Sequence, residues 1–160
     1  MRIGIRLKFW FFTHYWWILL LTVVLAVAVL HWRNENLTTV VAVVGSLLSL
    51  FYFLQKQKLE ELHLFRALFK EFNKRYDALN EKLALIAEAK SADLSTEECE
   101  TLINYFNLCG EEYFYFAKGY IDPAVWDAWL NGMNAIVSVP RIRKLWLAEK
   151  QTDSYYGLPL

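Results

Sequence analysis

The stretch from Thr38 to Ala89 constrains this chain most. Its first part, Thr38 to Gln55, carries no charged residue, and its second part, Lys56 to Ala89, is rich in Lys, Arg and Glu. In the second part the apolar residues fall at Leu62, Phe65, Phe69, Phe72, Tyr76, Leu79, Leu83 and Ile86. That alternation of three- and four-residue steps is a heptad pattern, which predicts a helix laying one apolar seam against a partner helix. Neither Pro nor Gly separates the two parts. The sequence therefore predicts one long helix that begins in a bilayer and ends in water.

Upstream, Phe9 to Trp32 contains no Asp, Glu, Lys or Arg, which meets the roughly 20 residues a membrane helix needs. Trp10, Trp16, Trp17 and Trp32 suit the interfacial belts. Ala26-Val27-Ala28 imitates a signal-peptidase site, but the apolar run is too long for a signal peptide and a second run follows at once. The polar turn Arg33-Asn34-Glu35-Asn36 joins them, and Asn36-Leu37-Thr38 fits a glycosylation pattern by accident of position. Arg2, Arg6 and Lys8 precede the first run, and Lys56 and Lys58 follow the second. The excess of positive charge outside the pair predicts cytoplasmic termini. A 56% apolar and 17% aromatic composition concentrated in the first 54 residues agrees with a membrane class. Zero net charge and the lack of a basic, aromatic-interleaved track argue against direct nucleic-acid binding.

Within the second run, Ala42 and Ser46, and Gly45 and Ser49, form a doubled small-xxx-small stripe. Small residues let helices approach closely in lipid. Two uses remain open: packing against the first crossing, or packing between subunits.

After a loop near Lys90 to Leu94, Ser95-Thr96-Glu97-Glu98 is a capping box. It opens a helix running to about Lys118, with Gly119 as its stop and a stripe at Cys99, Leu102, Phe106, Cys109, Tyr113 and Phe116. This is the expected antiparallel partner of the Leu62–Ile86 seam. Gly110 in its interior suggests a close helix crossing. Asp122-Pro123 starts another helix with Trp126, Trp129, Met133 and Ile136 in step. Pro140 restarts a last one through about Lys150, and 151–160 reads as an extended tail.

Chemistry is sparse. Cys99 and Cys109, ten residues apart on one helix, sit about 15 Å apart, too far for a disulfide, and read as small hydrophobes in a reducing compartment. His14 is expected in the interfacial belt and His63 on a helix surface. Arg66 has no His at short downstream spacing, which counts against a ribonuclease of the higher-eukaryotic-and-prokaryotic nucleotide-binding type. Glu111 and Glu112 point about 100° apart and cannot make a carboxylate dyad alone. No nucleophile–base pair, phosphate loop or metal-ligand set is legible, so no enzyme, cofactor or metal is expected.

Three stretches, 71–80 (EFNKRYDALN), 105–113 (YFNLCGEEY) and 119–123 (GYIDP) with Trp126, Trp129, Gly132 and Met133, together resemble a widespread bacterial family of small membrane-anchored helical proteins. The layout is similar to the two-crossing effectors of retrons and to membrane accessory proteins of RNA-targeting CRISPR systems. Among the motif's polar residues, Asn73, Arg75, Asp77 and Asn80 flank the seam position Tyr76, and Arg75 is placed to pair with Glu111 or Glu112.

The expectation is an all-α protein: a transmembrane hairpin over 1–55, with crossings at about 9–32 and 37–55. The second crossing continues into a cytoplasmic antiparallel bundle over 56–150. The resemblance implies a homo-oligomeric antiphage effector at the bacterial inner membrane, acting on the lipid bilayer under the control of a cytoplasmic protein or nucleoprotein partner. The alternative is a membrane tether that localises a soluble partner.

Overall fold

The computed structural model describes Arg2–Ala89, Ser91 and residues 93–160. The side chains of Arg2 and Arg6, two of the charges used for topology, and residues Lys90 and Ala92 of the expected loop lie outside the described set. Among the described residues the regular structure is entirely helical: α1 (Arg2–Trp32), α2 (Leu37–Glu88), α3 (Thr96–Ala117), α4 (Pro123–Val137) and α5 (Pro140–Lys150). The chain divides into two compact units, Met1–His63 and Leu64–Leu160.

In the first unit, α1 and the start of α2 are both long and apolar enough to cross a membrane. Their large apolar side chains stand exposed, among them Trp17, Leu21, Leu25, Val41, Leu48 and Phe53. Apolar surface of this extent in water would forgo about 25 cal/mol per Å². Asn34 turns the chain between them with φ 55°, a conformation Asn tolerates through its short polar side chain. Asn36 caps α2: its Oδ1 accepts from the Thr39 backbone N–H at 2.8 Å and from the Thr39 hydroxyl at 3.0 Å. The Asn side chain of the glycosylation-like triplet thus serves as a helix cap.

α1 meets α2 near its charged end. Tyr15 and Trp16 pack on Phe51 with ring centroids 5.8 and 4.5 Å apart. Lys58 sits over the Tyr15 ring and donates to the Phe12 carbonyl at 2.9 Å, and Lys8 pairs with Glu61 at 2.8 Å. His14 stacks on Trp10 and its Nδ1 lies 2.9 Å from the Trp10 carbonyl.

In the second unit α3 is the most buried element. Its predicted stripe is sealed at Leu102, Phe106, Cys109 and Phe116. Thr101, Tyr105, Leu108 and Glu112 on its other sides are buried too, so α3 packs on more than one face. Both predicted ends are present. Ser95 and Glu98 exchange the two hydrogen bonds of a capping box. At the C-terminus Gly119, with φ 78°, donates to Phe116 and Tyr120 donates to Tyr115, the paired bonds of a Schellman motif that needs a left-handed residue. Asp122 caps α4 through the Ala124 N–H, with Pro123 in its first turn.

The core is aromatic. Trp126 stacks on Phe116 at 4.8 Å, and Trp146 meets Phe106 edge-on at 5.0 Å. Residues 151–157, expected to be extended, instead form successive turns. Tyr155 and Leu158 are buried there, and Tyr155 fills the space where Gly110 lacks a Cβ, which would lie 3.4 Å from Tyr155 Cα. At Gly110 the sequence suggests a helix crossing, but the nearest atoms belong to this non-helical tail instead. Burial of two apolar side chains is what an extended segment would give up.

Candidate functional site

The small-residue stripe lies open. Ala42, Gly45, Ser46 and Ser49 are all exposed. The Ser46 and Ser49 hydroxyls donate back to the carbonyls of Ala42 and Gly45 at 2.8 and 2.9 Å, so neither hydroxyl is left unsatisfied in an apolar setting. A Cβ added at Gly45 would meet nothing within 4 Å. A shallow groove over Ala42, Val43, Ser46, Leu47 and Leu50 follows this face.

Along the seam, Phe72, Leu83 and Ile86 are buried, Phe65 and Leu79 are half-buried, and Leu62, Phe69 and Tyr76 remain exposed. Phe72 and Phe69 both pack on Trp129 of α4, and Phe72 also packs on Tyr115 of α3. α2 and α3 run antiparallel, as Arg75–Glu111 and Lys82–Glu97 show. Arg75 binds Glu111 in a two-pronged pair, at 2.6 and 3.0 Å, and this contact holds the guanidinium more firmly protonated than usual. Both side chains are over a third exposed, so the pair fixes register more than it adds stability.

Glu112, one residue on, turns inward. It is 7% exposed, and no hydrogen bond reaches its carboxyl from the described residues. Burial, only partly countered by the Arg75 charge, pushes its pKa up to about 8. It lines a cavity of about 230 Å³ between three helices: Asn73 and Tyr76 come from α2, Tyr105 and Glu112 from α3, and Ala128, Trp129, Gly132 and Met133 from α4. Tyr105 and Cys109 lie beside it and interact, and burial raises both of their pKa values as well. Among the motif's polar residues, then, Asn73 and Glu112 share the cavity, Arg75 and Glu111 share the ion pair, and Asp77 and Asn80 are exposed.

Sequence reasoning missed Arg141. It is 8% exposed and donates to the carbonyls of Ser91 and Asp93 at 3.3 and 3.2 Å and to Glu98. It thereby ties the start of α5 to the segment entering α3. Together with the Ser95 backbone N–H, it holds the Glu98 carboxyl below the usual range. The partners lie 43 to 50 residues away, and no local pattern announces them. His63 is exposed. Among the described residues no three His, Cys, Asp or Glu side chains converge as a metal set would.

No family model matches the chain, and no curated protein or solved structure matches it.

Proposed function

We propose that this chain is a non-enzymatic membrane effector of the bacterial inner membrane, acting in antiphage defence. α1 and the first part of α2 cross the bilayer as a hairpin, and the remainder forms a cytoplasmic antiparallel bundle. Copies associate through the small-residue face of α2 and perturb the membrane when the bundle receives its signal from a protein or nucleoprotein partner. The observation that carries this reading is the open stripe: the polar and aromatic contacts between α1 and α2 fall at Phe51–Glu61, while Ala42, Gly45, Ser46 and Ser49 stay exposed. In lipid, association comes from close backbone packing rather than from the hydrophobic effect, and an exposed small-residue face supplies that packing to a second copy.

Gly45→Leu and Ser49→Leu test this cleanly, because the vacant space around Gly45 lets a single copy accept the side chain. Expression of the wild type should depolarise the membrane, and either Leu variant should abolish depolarisation and cross-linked oligomers while inserting normally. Depolarisation unchanged in both variants overturns the reading.

The orientation is tested separately. A reporter active only in the periplasm, joined after Leu160 through a flexible linker, should stay silent; activity there reverses the topology.

The tether reading draws on one observation, the exposure of Leu62, Phe69 and Tyr76 along the seam, which offers apolar surface to a soluble partner. It gains if the wild type leaves the potential unchanged and these three residues are needed to retain a partner.

A further inference from the structure

The cavity between α2, α3 and α4 has a chemical character that membrane association does not use. Its walls are aromatic: Tyr76, Tyr105 and Trp129 line it, with Tyr76 and Tyr105 ring centroids 6.4 Å apart. The Trp129 ring is fixed from behind by stacking on Phe69 at 5.8 Å. Among the described residues the one charged side chain lining the cavity is Glu112, over nine-tenths buried. Arg75, the cation whose charge acts on Glu112, is committed to Glu111 through Nη1 and Nη2. Ala128 and Gly132 at the α4 wall are exposed, so the cavity has an entrance. At about 230 Å³ it lies below the roughly 300 Å³ at which pockets begin to take drug-sized ligands, and it suits a compact group of a few heavy atoms.

We propose that this cavity binds an alkylammonium group, with Glu112 as counter-ion and the rings of Tyr76, Tyr105 and Trp129 facing its alkyl shell. The faces of aromatic rings carry negative potential and attract organic cations, most strongly where water is displaced. A neutral ligand gains little from an isolated carboxylate, whereas a cation supplies the partner that the group lacks. A bare metal ion is a poorer fit, since one carboxylate, the Asn73 amide and the two tyrosine phenols give fewer and weaker oxygen ligands than the roughly six to eight a hard cation takes. An anion would find no cationic side chain among the residues lining the cavity, since Arg75 is committed to Glu111. The carboxyl's tendency to hold a proton agrees with a site built for a positive charge that is absent. The inference is independent of whether the membrane helices associate.

Calorimetric titration of the full chain in detergent micelles tests it with three probes: choline, its neutral isostere 3,3-dimethylbutan-1-ol, and a peptide bearing one trimethyllysine. Choline should bind saturably at one site, with the neutral isostere at least tenfold weaker. Glu112→Gln should weaken choline binding tenfold or more while the chain stays folded. Gly132→Leu should do the same by filling the entrance; its Cβ would meet nothing within 4 Å, so the fold accepts it. Tighter binding of the peptide than of choline supports the site and assigns the ammonium to a protein side chain. Equal binding of choline and its isostere, undiminished binding to the Glu112→Gln variant, or no saturable binding of either cation overturns the proposal.

Discussion

Glu112→Gln should stabilise the bundle at pH 8 and leave it unchanged at pH 4. The sign follows from the direction of the shift. In the folded chain burial pushes the Glu112 pKa up to about 8 from an ordinary value of 4.5. Below pH 4.5 both folded and unfolded chains hold the proton, and the group contributes no pH dependence. Between about pH 4.5 and 8 the unfolded chain releases it while the folded chain keeps it, so stability falls as pH rises, by about 1.4 kcal/mol per unit. Above pH 8 the penalty levels off, on the order of 5 kcal/mol at most. Glutamine keeps the shape and removes the titration. Thermal unfolding followed by near-ultraviolet circular dichroism at pH 4, 6 and 8 should show the variant's advantage grow with pH. A constant difference at all three would mean that Glu112 is ionised in the folded chain.

Trp126→Ala should cost about 3–5 kcal/mol, the usual range for emptying a buried aromatic site. Trp126 is fully buried, stacks on Phe116 and lies 5.5 Å from the Tyr113 ring. Its indole Nε1 is buried with no hydrogen-bond partner among the described residues. Such an N–H carries a penalty of about 1–3 kcal/mol. Trp126→Phe keeps a ring against Phe116 and discards that N–H, so its cost should stay within about 1.5 kcal/mol. Urea unfolding of both variants measures the gap; equal costs would show that the ring stack contributes little.

What the sequence made legible was local or periodic. The Ser95 capping box, the Asp122-Pro123 start and the Gly119 stop each depend on residues within one turn, and each is seen. The Arg75–Glu111 pair was one of two pairings left open, because the heptad register brings α2 and α3 together but does not say which face of α3 looks inward. The 100° between Glu111 and Glu112 ruled out a dyad. The same angle separates their fates: one carboxylate reaches Arg75 and the other enters the core. Choosing between them required knowing that α4 covers the Tyr105 side of α3, through Trp129 and Met133. Arg141 was invisible for a related reason, since its acceptors are backbone carbonyls of a distant segment. Gly110 did flag a close approach, but a glycine marks only that something comes near.

That close approach has a consequence for the order of events during synthesis. Tyr155 and Leu158, both buried, follow α1 to α5 in the sequence. A ribosome delivers the N-terminal side first, at about 5–20 residues per second, so the apolar helices emerge well before the residues that seal α3 beside Gly110. Until Tyr155 arrives, the groove at Gly110 and the Trp146 and Phe106 rings that Tyr155 packs against stand uncovered. The interval needed to reach Tyr155 therefore acts as a timer, separating delivery of the apolar helices from completion of the α3 core.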